Sequence, residues 1–133
     1  MARQLTDILR ANQLMRHYLQ NKRVGNEEFH VLLPIVSEAQ NTQGVPRRAI
    51  KPLDLDRGEP TKIYDHGDTW ITRMKRLRQV SQLPEEMLFT IREPLEGDKR
   101  IKACHEIRKE LENLNLHVQN FGNDNAVLEF ARL

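Results

Sequence analysis

Basic side chains concentrate in the middle of this chain, and most of them are arginines. Residues 43–82 contain nine Lys or Arg against five Asp or Glu, whereas residues 83–133 contain seven against ten. A guanidinium presents several N–H donors in one plane, which suits phosphate and carboxylate oxygens alike. The candidate residues for binding a nucleic acid or another acidic partner are Arg47, Arg48, Lys51, Arg73, Lys75, Arg76 and Arg78.

Charge patterning alone leaves three interpretations of these cations open. They could follow a phosphate backbone, which would give salt-dependent binding without any reading of base sequence. They could instead contact an acidic protein surface, for which the acidic C-terminal third of this same chain is one candidate. In the third interpretation, the aliphatic stems cover a thin core while the charged groups stay in water.

A second group of polar residues lies in the same region and could hold a divalent cation or supply a general base. It consists of Tyr64, Asp65, His66, Gly67 and Asp68, with Asp54 and Asp56 upstream. The spacing matches no metal-binding signature, and a turn followed by a helix cap explains the same residues. Because the structural explanation is favoured, an enzyme that uses residues 54–68 ranks as the second alternative function, behind the nucleic-acid-binding alternative described below.

Cys104 and His105 resemble a nucleophile beside its base, but adjacent residues on a helix do not face each other. Cys104 also belongs to an apolar stripe, where a free cysteine acts as a small hydrophobic residue. No phosphate loop, nucleophile elbow or zinc cluster is present. The sequence therefore predicts no catalytic residue, no metal site and no cofactor, and it favours a non-enzymatic protein.

The N-terminal third has helical periodicity. Apolar residues from Leu5 to Leu19 recur at helical spacing, and Asn26 is placed to cap a second helix that contains Phe29 and Leu33. These features predict a helical hairpin over residues 1–42. The alternative is a strand over residues 29–33 that ends at Pro34.

Residues 43–68 show no periodicity and contain three prolines and three glycines. We interpret them as an extended arm, because structureless connections of this length are uncommon inside compact domains. Apolar residues recur through the arm: Val45, Ile50, Leu53, Leu55 and Ile63. An arm of this kind is expected to lie against a partner, so the chain is predicted to be a small subunit or accessory factor of a larger assembly.

Residues 69–133 predict an α+β domain. A basic helix begins at Asp68 or Thr69, the alternation from Met87 to Ile91 predicts a strand, and Asp98 caps a helix that contains Cys104. Two short strands around Gly122 complete a β-α-β-β unit with a small antiparallel sheet. If residues 84–93 were instead helical, the order would be that of a winged helix. The alternative function is then a free-standing nucleic-acid-binding regulator.

Composition sets the remaining limits. A chain of 133 residues fits one domain with, at most, a small appendage. The single cysteine excludes an internal disulfide, and no apolar run is long enough to span a bilayer. Since the N-terminus also lacks the apolar core of a signal peptide, the expected location is cytoplasmic, with no membrane contact.

Overall fold

A single five-stranded sheet forms the centre of the structure. The computed structural model describes residues 1–132. The strands are β1 (Tyr18–Gly25), β2 (His30–Ser37), β3 (Arg48–Asp54), β4 (Glu86–Arg92) and β5 (His117–Asn120). They lie in chain order; β1, β2 and β3 are antiparallel, whereas β3, β4 and β5 are parallel. The predicted α+β class with a small sheet is confirmed, but the sheet is mixed rather than antiparallel.

Helices cover both faces of this sheet. They are α1 (Ala2–Ala11), α2 (Pro60–Gln79), α3 (Asp98–Asn113) and α4 (Asp124–Ala131), with a short 3-10 turn at Met15–His17. Alternate residues of β3 point to opposite layers. Ala49 and Leu53 pack with α2 and α3, whereas Ile50 packs with α1 and α4. None of the helices in residues 1–132 is long and apolar enough to cross a membrane.

The predicted N-terminal helical hairpin is wrong, because the residues after α1 form the β1–β2 hairpin. The Asn26 side chain accepts hydrogen bonds from the backbone N–H groups of Glu28 and Phe29. That interaction also caps helices, so the local sequence does not separate a helix start from a hairpin turn. The alternative strand is closer to the structure, although Pro34 lies inside β2 and does not end it.

The predicted extended arm is also wrong. Residues 48–54 form β3 between two other strands, and α2 begins at Pro60, several residues before the predicted helix start. Proline at the first helical position is a favourable start, because its missing N–H has no partner within the helix anyway. The arm's five apolar residues, Val45, Ile50, Leu53, Leu55 and Ile63, are all buried in the chain's own core. They are therefore not available to a partner.

The C-terminal predictions have mixed outcomes. The strand over residues 87–91 and the helix from Asp98 are confirmed as β4 and α3. Because residues 86–92 are a strand, the winged-helix alternative is wrong. The final hairpin is wrong too: β5 pairs in parallel with β4, and the Asn123 side chain accepts from the Ala126 N–H to cap α4. The predicted turn around Gly122 is thus the start of a helix, because turns and helix caps select the same residue types.

The sheet divides between β2 and β3. These strands share only two paired positions, Ile35 with Ile50 and Val36 with Ala49. The same register would next oppose Pro34 to Lys51 and then Leu33 to Pro52. Each proline lacks the N–H that a ladder requires, so pairing stops there and the strands separate. Asn21, which lies opposite Pro34 in β1, has a φ of 52°.

Replacing Gly67 with alanine should destabilise the protein, because Gly67 of α2 lies directly against the Ile107 side chain of α3. A Cβ at position 67 would lie 2.5 to 2.7 Å from three side-chain atoms of Ile107. Overpacking of this kind costs about 1–3 kcal/mol, against about 1 kcal/mol of improved helix propensity. We expect a net loss of up to about 2 kcal/mol in the free energy of unfolding, measured by urea denaturation.

The matched control is Gly58→Ala, where an added Cβ meets nothing within 4 Å. Its stability should be unchanged or slightly higher. The double variant Gly67→Ala/Ile107→Ala should be less destabilised than the sum of its single changes. Strict additivity would show that the two residues do not press on one another.

Candidate anion-binding site

A cleft of about 410 Å³ lies where β2 and β3 separate. Its β2 wall carries Leu32 and Pro34, and its β3 wall carries Lys51. Helix α2 contributes His66 and Trp70, and the start of α1 contributes from the opposite layer. The cleft is thus bounded by two strands and by a helix from each face of the sheet.

Three cations gather around the one tryptophan in the chain. Lys51 Nζ lies 4.7 Å from the centre of the Trp70 ring, and the guanidinium carbon of Arg73 also lies 4.7 Å from it. Arg57 lines the cleft beside them. Trp70 is only 6% exposed, so its indole is a largely covered platform on which the two charges rest. All three cations are half-buried.

Two carboxylates near the cleft are paired with other arginines, and one of them, Asp54, lines the cleft itself, whereas the exposed Asp65 and Asp68 lie beside Arg73 on the outer surface of α2. Asp54 accepts from Arg92 at 2.9 Å, and Asp56 accepts from Arg100 at 2.6 Å. Among residues 1–132, no carboxylate forms an ion pair with Lys51, Arg57 or Arg73. The protein therefore places three half-buried positive charges at or beside the cleft, none of them within ion-pairing distance of a carboxylate in residues 1–132.

Burial and the neighbouring positive charges lower the pKa of two groups at the cleft, Lys51 and His66. Burial, and then the charge of Arg73, lower the pKa of Lys51 from its ordinary value. Burial also lowers the pKa of His66, helped by Arg57, Lys51 and Arg73 and opposed by Asp54. Both groups would regain proton affinity if an anion entered the cleft, because an opposite charge stabilises their protonated forms.

The structure divides the seven predicted binding residues. Lys51 lines the cleft, and Arg73 lies beside it against the Trp70 ring. Arg48 lies at the other end of β3, where it donates to the Phe130 carbonyl oxygen at 2.9 Å and covers the Phe130 ring. Arg47 donates to the carbonyl of Gln40, and Arg78 donates to the carbonyl of Leu114. Lys75 and Arg76 are exposed on α2.

Sequence analysis did not include Arg57 and His66 in the binding set. His66, Trp70 and Arg73 share one face of α2, since residues spaced four and three apart are neighbours on a helix. A helix predicted to start at Asp68 or Thr69 does not include His66, so the prediction could not place His66 on the same helix face as Trp70 and Arg73. Pro60 is the local signal that would have given the correct start.

The polar group over residues 64–68 does not form the expected loop, because α2 contains all of it. Tyr64 donates to Glu106 on α3, while Asp65 and Asp68 are exposed. Within residues 1–132, no three His, Cys, Asp or Glu side chains are placed to hold a metal ion together. Cys104 is buried in the core, as its place in the apolar stripe indicates, and burial raises the pKa of its thiol to about 12.

No protein-family model, curated protein or solved structure matches this chain. The cleft is therefore interpreted from its own geometry and charge.

His66 should make the protein less stable in mild acid. Its folded pKa lies below the ordinary 6.5, so the unfolded chain binds more protons as pH falls through that range. This contribution to stability is complete above pH 6.5 and is lost as pH falls towards the folded pKa. In urea denaturation at acidic and at slightly alkaline pH, His66→Gln should lose less stability on acidification than the wild type.

His105→Gln is the control, because His105 is exposed on α3 away from the cleft. It should retain the pH dependence of the wild type. Identical pH dependence in the wild type and in His66→Gln would mean that neither burial nor the cations lower the pKa of His66 in the folded protein.

Proposed function

We propose that this chain is a non-enzymatic nucleic-acid-binding protein that contacts the phosphate backbone through the cleft and the adjoining face of α2. The observation that carries the proposal is the group Lys51, Arg57 and Arg73, half-buried and without carboxylate partners among residues 1–132. Half-buried cations of like sign raise one another's energy. An anion that enters the cleft relieves this repulsion.

A chain of phosphates fits the arrangement better than a single ion, because the positive surface continues beyond the cleft. Arg76 follows Arg73 by three residues on α2, so the two side chains are neighbours on the helix surface. Lys75 is also exposed on α2, but it lies two residues from Arg73 and therefore projects from a different face of the helix. Contacts of this type neutralise phosphates and release counterions without distinguishing base sequence.

Charge reversal on α2 should remove this binding. We expect Arg73→Glu/Arg76→Glu to weaken the binding of fluorescent single-stranded and duplex oligonucleotides by about tenfold or more at low salt. The slope of log K against log salt should also become shallower by about 1–2, because each lost phosphate contact removes roughly one released counterion. Fluorescence anisotropy across a salt series measures both effects.

The control is Lys102→Glu/Lys109→Glu, which reverses the same number of charges at exposed positions on α3. It should change affinity only slightly, through the altered net charge. Equal losses in the two double variants would show diffuse attraction to the whole chain and would remove the assignment to α2. No binding by the folded wild type at low salt would overturn the nucleic-acid function.

An acidic protein segment is the second candidate partner, favoured by Leu32. This side chain is 62% exposed although it lies at the cleft, beside the three cations. A peptide with carboxylates and one apolar side chain would satisfy both features. If the wild type binds an acidic peptide and fails to bind oligonucleotides, and the α2 charge reversal abolishes the peptide complex, this candidate replaces the first.

A further inference from the structure

Resting on the proposed nucleic-acid function, we propose that the cleft receives a terminal phosphate monoester, at the end of a strand or on a free mononucleotide. The α2 surface would then hold the diester backbone that leads away from that end.

The shape of the cleft is the first argument. The paired positions Ile35–Ile50 and Val36–Ala49 bound one end of the cleft, because pairing stops immediately before Pro34 and Lys51, which line it. A helix from each layer contributes to the sides. A phosphodiester inside a strand needs an exit on both of its sides, whereas a terminal phosphate needs only one. A wedge that is closed at one end therefore suits a chain terminus.

Charge is the second argument. The cleft region holds Lys51, Arg57 and Arg73, and Arg92 already pairs with Asp54. A phosphate monoester carries between one and a half and two negative charges near neutral pH, roughly twice the charge of a diester. It also presents three terminal oxygens as acceptors. Lys51 and Arg57 each use one donor on a backbone carbonyl, of Pro52 and Asp54, and their remaining N–H groups suit the three oxygens of a monoester better than the two free oxygens of a diester.

The remaining walls suit the rest of a nucleotide. Leu32, Pro34 and Pro52 supply apolar surface beside the cations. A nucleotide presents the same combination, a strongly charged phosphate joined to a sugar and a base with extended apolar faces. The cleft volume of about 410 Å³ lies within the range of pockets that enclose small organic ligands.

Trp70 gives a direct readout of occupancy, because it is the only tryptophan in the chain and carries two of the cations. The wild type would be titrated with short single-stranded oligonucleotides of one sequence that end in a 5′-phosphate, in a 3′-phosphate or in hydroxyls only. We expect one phosphorylated form to bind at least about tenfold more tightly than the hydroxyl form, since charge-assisted hydrogen bonds are lost without the phosphate. The form preferred identifies the end that is bound.

Lys51→Gln should abolish the preference for the phosphorylated strand, while the unphosphorylated strand still binds through α2. Arg57→Gln tests the same group by a second route if Lys51→Gln fails to fold. Lys102→Gln on α3 is the control and should keep the full preference.

Failure of the two proposals can be told apart. Equal binding of all three oligonucleotides would overturn the terminal-phosphate inference and leave the nucleic-acid function standing. If no oligonucleotide binds, the nucleic-acid function is overturned, and titration with a nucleoside monophosphate and its nucleoside decides the rest. Tighter binding of the monophosphate than of the nucleoside would support a phosphate site in the cleft that accepts a free mononucleotide. Binding of neither, or of both alike, would overturn it.

Discussion

The short contact between β2 and β3 is the constraint on which the candidate site depends. Two paired positions hold the β1–β2 hairpin to the parallel part of the sheet. Beyond them, Pro34 and Pro52 prevent a continuous ladder, because neither has an N–H to donate. Had pairing continued, β2 would lie along the full length of β3, and Lys51 would have no cleft beside it. The separation leaves the part of β3 that carries Lys51 open to the cleft, while the helices on both faces hold the strands in place.

A second set of interactions leaves the cations at the cleft without carboxylate partners. Arg92 and Arg100 pair with the carboxylates of Asp54 and Asp56, and Asp54 lines the cleft together with Lys51 and Arg57. Arg100 also donates to the Arg57 carbonyl oxygen at 2.8 Å, which ties the segment after β3 to the start of α3. The parallel arrangement of β3 and β4 makes this possible, since it brings Asp54 opposite Arg92 at the same end of the sheet. Ion pairing at this end thus leaves the neighbouring cations without partners.

Packing between α2 and the sheet positions the tryptophan platform. The Trp70 ring packs edge to face against Phe89 of β4, with 6.3 Å between the ring centroids, and this contact holds the indole against the sheet. Lys51 and Arg73 lie against this ring, and burial together with the neighbouring positive charges lowers the pKa of both Lys51 and His66. Gly67 allows the same helix to approach Ile107 closely, so the position of α2 is set from the α3 side as well. The site therefore depends on core packing at several points along α2.

The sequence by itself determined the α+β class, the strand β4, the helix α3 with Cys104 in its core, and the basic character of α2. Each of these follows from interactions within about four residues, which a periodic pattern records. Tertiary structure decided the rest. The side chains of Asn26 and Asn123 make the same local hydrogen bonds in turns and in helix caps, so only long-range pairing separated strand from helix around them. The cleft needed more, because Lys51, His66 and Arg73 meet only after β3 enters the sheet and α2 packs upon it. The two carboxylates nearest the cleft are neutralised by arginines more than thirty-five residues away in the chain, a distance over which no local pattern carries information.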